Sequence, residues 1–144
     1  MSNASYPATE GRGAINWQGK KILIVEDEPA NREYLKIVLT RTNAMLIYAE
    51  NGLQVRLLLK ELNNIDLVLL DIRLPDASGW DLAREIKAIR SDLPVIAQTA
   101  FAMTSDRLKC EEAGCDGFIS KPINKTALMN MISDFLPPEN QKVS

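Results

Sequence analysis

Four apolar residues, Leu67-Val68-Leu69-Leu70, run without a break into a carboxylate, Asp71, and Pro75 follows four residues later. The run does not alternate, so it does not suit a strand with one wet face. It suits a strand buried on both faces, as in a parallel sheet covered by helices. Open α/β sheets place their ligands at the carboxyl ends of their strands, and Asp71 falls at such an end. A carboxylate is costly to bury without a partner. Asp71 is therefore expected at a solvent-reachable mouth, beside a cation.

The rest of the chain alternates around this strand. A β-rich run, Lys21–Val25, ends in Glu26-Asp27-Glu28-Pro29. Pro29 suits the first turn of a helix, where its missing N–H is not needed, and Tyr34, Leu35, Val38 and Leu39 recur at helical spacing. A second strand covers 44–49. Gly52 breaks the chain, Val55, Leu58, Leu59 and Leu62 mark a second helix, and Asn63-Asn64 closes it. The third strand is 66–70. After the loop Arg73-Leu74-Pro75-Asp76-Ala77-Ser78-Gly79, a third helix carries Leu82, Ile86 and Ile89 on one stripe. A fourth strand, 94–97, leads into Gln98-Thr99-Ala100. The fourth helix, about 105–113, has a sparse stripe of Leu108, Cys110 and Ala113, so it is expected to be the least firmly packed. Gly114 is a natural C-cap. A fifth strand, Gly117–Ser120, ends in Lys121-Pro122, and the last helix carries Leu128, Met131, Ile132 and Phe135 before Pro137-Pro138.

Five βα units in series imply a parallel sheet with helices on both faces. The expected fold is α/β: a flavodoxin-like doubly wound five-stranded parallel sheet of order 2-1-3-4-5, with five helices in three layers. Residues 1–19 read as a flexible tail or linker, in which Trp17 either tucks against the domain or stays loose. The domain spans 20–136, and 137–144 form a polar tail.

Composition narrows the chemistry. A net charge of −2 gives no sign of nucleic-acid or anionic-membrane binding. No apolar run approaches the ~20 residues that span a bilayer, and the first ten residues lack a secretory leader's apolar stretch. A cytoplasmic location is expected. Cys110 and Cys115 form neither a CxxC pair nor a zinc set, and free thiols in a reducing compartment are the expectation. The chain has no histidine. That removes Ser-His-Asp and Cys-His catalysis and most zinc sites. Carboxylates, lysine, hydroxyls, backbone amides and a hard metal ion remain.

In a parallel sheet all strand carboxyl ends share one edge. The first strand brings Glu26 and Asp27 there, the third Asp71, the fourth Thr99 and the fifth Lys121. Clustered acids raise one another's pKa, and a divalent cation relieves the repulsion. Oxygen ligation by few protein groups suits Mg²⁺, which keeps several waters. Such an ion holds one phosphoryl oxygen, Lys121 neutralises another, and Thr99 hydrogen-bonds a third. Asp71 is left as the oxygen nucleophile. These are the parts that phosphoryl transfer requires.

The motifs Ile24-Val25-Glu26-Asp27-Glu28-Pro29, Leu70-Asp71-Ile72-Arg73-Leu74-Pro75, Thr99-Ala100 and Phe118-Ile119-Ser120-Lys121-Pro122, in this order and spacing, resemble the receiver domains of two-component response regulators over residues 20–136. The resemblance implies that Asp71 is the phosphoacceptor, taking a phosphoryl group from a phosphohistidine on a histidine kinase or histidine phosphotransfer domain. It implies that Glu26, Asp27, Asp71 and the Arg73 backbone carbonyl hold Mg²⁺ (or Mn²⁺), and that Lys121 pairs with the phosphoryl group. Thr99 and Phe118 look like the switch residues of a phosphoprotein in a phosphorelay. Phe118 lacks a tyrosine hydroxyl, so its inward rotation would desolvate no polar group. Arg73 and Phe101 fall where side chains influence water access.

By the same resemblance the domain is not an enzyme on external substrates. It catalyses only its own phosphorylation and dephosphorylation. The lead-in Trp17-Gln18-Gly19-Lys20-Lys21 and the run Thr99-Ala100-Phe101-Ala102-Met103 resemble the carboxyl-terminal receivers of hybrid sensor histidine kinases, and a stand-alone single-domain response regulator is the alternative. No DNA-binding or catalytic output domain is expected within this chain, and a phosphorylation-dependent dimer is a further expectation. A haloacid-dehalogenase-like phosphatase also uses an aspartyl phosphate, but it needs D-x-D, and position 73 is Arg73. A domain kept only for docking would not need Glu26, Asp27, Asp71, Thr99 and Lys121 together.

Overall fold

The computed structural model describes residues 15–100 and 104–137. Strand β1 (Lys21–Val25) leads to α1 (Pro29–Thr40), and β2 (Met45–Ala49) to α2 (Gly52–Leu57) and a 3-10 helix (Leu59–Asn64). Strand β3 (Leu67–Asp71) leads to α3 (Gly79–Ile89), β4 (Val95–Thr99) to α4 (Thr104–Ala113), and β5 (Gly117–Ser120) to α5 (Lys125–Phe135). The strands pair in parallel in the order β2-β1-β3-β4-β5. This is the doubly wound sheet expected from the alternation.

Sheet position explains the unbroken apolar run. β3 lies at the centre, between β1 and β4, and all five of its residues are buried. Leu23, Val25, Val68, Leu70, Val95 and Ala97 point into one core, with Val55, Trp80, Leu82, Ala83 and Ile86. Their neighbours Ile22, Ile24, Leu67, Leu69 and Ile96 point into the other, with Leu35, Leu39, Leu128 and Ile132. Alternate residues feed opposite faces, and because both faces are covered, both sets are apolar.

The helix starts follow local chemistry. Pro29 opens α1. Asn51, Ser78 and Asn124 cap α2, α3 and α5 by accepting backbone N–H bonds from Gln54, Trp80 and Ala127.

Four expectations change. The 1–19 tail boundary moves, because, of the two alternatives left for Trp17, the tucked one holds: it is fully buried, and its indole N–H donates to the Leu136 carbonyl at 2.8 Å. The packed unit therefore begins before residue 20. The second helix is not continuous. Its last turns tighten to 3-10 geometry, and the Arg90 guanidinium takes the Leu62 and Ile65 carbonyls at 2.7 and 2.8 Å. Leu108 faces solvent, leaving Cys110 and Ala113 as the buried described side chains of α4. Ile89 is exposed as well, and Ala83 takes its place on the buried stripe of α3. Phe101, Ala102 and Met103 lie outside the described residues.

Candidate functional site

Strand register brings the chemistry together. Val25 lies opposite Leu70, Asp71 opposite Gln98, and Thr99 opposite Ser120. Glu26, Asp71 and Gln98 therefore form one row across the carboxyl edge, and Thr99 and Lys121 stand just beyond it. A cavity of about 680 Å³ opens over this edge, lined among others by Glu26, Asp27, Asp71, Thr99, Asp106 and Lys121.

Asp71 is 3% exposed. Its Oδ1 accepts the Arg73 backbone N–H at 3.0 Å, and its Oδ2 lies 3.2 Å from Lys121 Nζ. Glu26 is fully buried. Its Oε2 accepts the Glu28 N–H at 3.2 Å, and its Oε1 accepts Asn31 Nδ2 at 2.6 Å and lies 3.3 Å from Lys121 Nζ. Asp27, the next residue, is exposed, because a strand's successive side chains diverge. One oxygen from each of Glu26, Asp27 and Asp71 still lies within 4.8 Å of the other two. Among the described residues, this set suits a small, hard, oxygen-seeking cation.

The electrostatics follow from burial. Desolvation first, and then the Glu26 charge, push the Asp71 carboxyl up to about 6, while the Arg73 N–H and Lys121 oppose them. Burial alone would lower the Lys121 ammonium; the Asp71 and Glu26 charges outweigh it and raise its pKa. A single lysine thus serves two buried carboxylates. The edge remains short of positive charge, and that shortage is what a cation would relieve.

Thr99 Oγ1 donates to Asp106 Oδ2 at 2.8 Å, tying the end of β4 to the first turn of α4. Phe118 is half-buried, and the exposed Arg107 guanidinium stands 5.4 Å from its ring centroid. Thr99 and Phe118 thus both engage α4. Asp71, Glu26, Asp27, Lys121 and Thr99 share the cavity; Phe118 stands behind it. Arg73 meets Asp71 through its N–H.

Sequence reasoning missed the roles of three residues here. Asn31 Nδ2 bonds both Glu26 Oε1 and, at 3.3 Å, Gln98 Oε1. Pro29 at the helix start sets Asn31 in the first turn of α1, over the strand edge. Gln98 is fully buried, and its Nε2 has no protein partner. The clue was available: an amide follows the apolar run Val95-Ile96-Ala97 within one strand. Gly79 was also missed. A Cβ there would stand 2.5 Å from the Asp71 carbonyl oxygen and from the Ile72 Cα, so α3 can pack against the Asp71 backbone only with glycine at its start.

The profile of the response regulator receiver domain matches residues 22–133. The chain belongs to this family. The receiver is 35% identical over 116 residues to the transcriptional regulatory protein CusR of Escherichia coli, covering 81% of the chain and 51% of CusR. It thus spans about half the length of that curated relative. Among solved structures it resembles the receiver domain of the sensor histidine kinase PA1611 from Pseudomonas aeruginosa, which holds a magnesium ion in its active-site cleft. That match has 30% identity and a TM-score of 0.72, over 82% of this chain and 98% of the other. It also resembles the receiver domain of the Saccharomyces cerevisiae response regulator Ssk1, in complex with the histidine phosphotransfer protein Ypd1. Identity there is 26% and the TM-score 0.76, over 83% and 90% of the two chains. The receiver is therefore a module of two-component signalling. No helix among its described residues is long and apolar enough to cross a membrane.

Proposed function

We propose that the receiver accepts a phosphoryl group from a phosphohistidine onto Asp71 and relays the event to the face formed by α4, β5 and α5. The observation that carries this reading is the Asp71 carboxylate itself: nearly buried at the end of the central strand, 3.2 Å from Lys121 Nζ, with two further acids beside it. A carboxylate raised by desolvation is a better nucleophile than one bathed in water. In the transfer, the donor's phosphorus–nitrogen bond breaks as an Asp71 oxygen–phosphorus bond forms. Lys121 stands where it can follow the phosphoryl charge, since it already bridges Asp71 and Glu26. Glu26, Asp27 and Asp71, with the Arg73 carbonyl, would hold Mg²⁺ or Mn²⁺, which neutralises phosphoryl oxygens when bound.

The response begins at Thr99. Its hydroxyl leaves Asp106 for the new phosphoryl oxygens, which are stronger acceptors. That releases the first turn of α4, and Phe118 moves inward into the space vacated. The event is a local change of charge that biases a two-state element. The module turns over no external substrate. Its likeness to the PA1611 receiver supports a place in a hybrid histidine kinase, and its likeness to Ssk1 supports a histidine phosphotransfer domain as partner. The reading frame around the chain's coding sequence decides between the hybrid and a single-domain regulator.

The test is incubation with acetyl phosphate, or with a phosphorylated histidine phosphotransfer domain, in Mg²⁺. The wild type should gain one phosphoryl group by intact mass, and chelating the metal during loading should prevent that gain. An Asp71→Asn variant that gains the same modification refutes the assignment.

A further inference from the structure

The carboxyl end of α4 closes in a Schellman turn whose two contacting side chains are both cysteines. Gly114 takes the left-handed conformation (φ +84°). Its N–H donates to the Glu111 carbonyl at 3.1 Å, and the Cys115 N–H donates to the Cys110 carbonyl at 2.9 Å. These two bonds define the motif, and in it the first and last side chains meet as an apolar contact. Here that contact is a dithiol. The 2.9 Å backbone bond keeps the two Cα atoms no farther apart than about 7 Å, the upper limit of what a disulfide bridges. Both cysteines are free thiols packed on the same core. Cys110 is buried, with its S–H directed at the Gly117 carbonyl 3.8 Å away, and Cys115 is partly exposed.

We propose that Cys110 and Cys115 form a peroxide-oxidisable dithiol whose disulfide staples the carboxyl-terminal turn of α4 to the head of β5. The two sides of the staple are unequal. The head of β5 is already fixed: Asp116 accepts the Val95 N–H at 2.8 Å, pairs with Lys87 Nζ at 2.7 Å, and donates its own N–H to the Val95 carbonyl at 2.9 Å. Helix α4 buries only Cys110 and Ala113 among its described side chains, and its Asp106 bond to Thr99 lies at the other end of the helix. The bond would therefore restrain the helix rather than the strand. It lies at the amino end of β5, the opposite edge of the sheet from Lys121 and the acids, so it acts on α4 without touching the acidic site.

The chemistry balances with a hydroperoxide as oxidant. One thiolate sulfur attacks a peroxide oxygen, the O–O bond breaks, and the released hydroxide takes a proton to leave as water. The resulting sulfenic sulfur is attacked by the second thiol. The S–S bond forms, the S–O bond breaks, and a second water leaves. Two sulfurs are oxidised by two electrons in all, and the peroxide oxygens are reduced. Hydrogen bonding from Cys115 holds the Cys110 thiol below the usual range and Cys115 above it. One member of the pair is thus favoured as the thiolate and the other as the resolving thiol.

No lysine or arginine separates the two cysteines, so a single tryptic peptide carries both. The reduced full chain is treated with hydrogen peroxide, blocked with an alkylating reagent and digested. The expected peptide is unalkylated and about 2 Da lighter than the reduced one, the mass of the two hydrogens lost. Amide exchange across α4 should slow by about tenfold in the oxidised protein. Cys115→Ala, which alters a partly exposed side chain and removes the second sulfur, should show neither change. Three results overturn the proposal: sulfinic or sulfonic products without a disulfide, a disulfide between two chains, or an internal disulfide that leaves α4 exchange unchanged.

Discussion

Replacing Asp71 by asparagine should stabilise the metal-free receiver, although it removes an ion pair. The carboxyl titrates at about 6 in the fold against an ordinary 3.8, because burial and the Glu26 charge outweigh Lys121 and the Arg73 N–H. The folded state therefore holds this proton more tightly than the unfolded chain does. For an acid whose folded pKa is raised, the cost of ionisation is absent below the unfolded value. It grows as pH rises between the two, and is complete above the folded one. At about 1.4 kcal/mol per unit, the two-unit shift makes the ionised Asp71 cost the fold about 3 kcal/mol. Asparagine copies the shape of the neutral acid and removes that cost. Urea denaturation in EDTA should thus give equal stabilities at about pH 4 and an advantage of about 2–3 kcal/mol for Asp71→Asn at about pH 7.5. In heat denaturation that is roughly 10 °C for a chain of this size. Saturating Mg²⁺ should close the gap by raising the wild type alone, by about 2.7 kcal/mol when the ion is at a hundred times its dissociation constant. A variant less stable than the wild type at neutral pH without metal, or an advantage that does not change with pH, would refute the electrostatic account of the site.

Other perturbations read other parts of the structure. Lys121→Met should act with the opposite sign, costing on the order of 2–3 kcal/mol at about pH 8 because it leaves two buried carboxylates without their cation; the loss should shrink as pH falls through about 6 and Asp71 protonates, which a urea series measures. Gly79→Ala should destabilise by several kcal/mol, on the order of an overpacked core, because the new Cβ meets backbone atoms of Asp71 and Ile72 at 2.5 Å. Its Mg²⁺ affinity by fluorescence or calorimetry should fall as well, since those atoms carry the acidic site. Trp17→Ala should cost about 3–5 kcal/mol, and Trp17→Phe about 1 kcal/mol for the lost indole bond to Leu136; a negligible effect of the alanine would mean that 15–19 do not belong to the folded unit. Gln98→Met should change stability by less than about 1 kcal/mol, because removing an amide whose Nε2 has no protein partner offsets the lost Asn31 bond to its Oε1.

Much of this receiver could be read in advance because its local and global signals agree. The unbroken run Leu67–Leu70 demanded a strand covered on both faces, and β3 is that strand. The turn residues around each helix, Pro29, Gly52 and Gly114, stand where the chain bends. Errors occurred where the sequence pattern was too weak to orient a side chain. Leu108 fits a helical stripe with Cys110 and Ala113 only loosely, and the fold turns it to solvent. Trp17 sits among glycines and polar residues that suggest no element, and its partner Leu136 is 119 residues away.

The sequence by itself determined the order of strands and helices, and which residues reach the carboxyl edge. Both are consequences of short-range periodicity: alternation of elements implies parallel pairing, and parallel pairing gathers the strand ends. Tertiary structure alone decided how those residues share charge. It buried Glu26 fully while leaving Asp27 exposed, set one lysine between two carboxylates, and brought Asn31 and Gln98 in behind Glu26. It also set two cysteines face to face across a glycine turn. Such contacts depend on strand register and helix packing to within an ångström or so, and no local pattern carries that information. The acid that ended an apolar run thus becomes, in the fold, a carboxyl whose pKa burial, and then the Glu26 charge, push up to about 6.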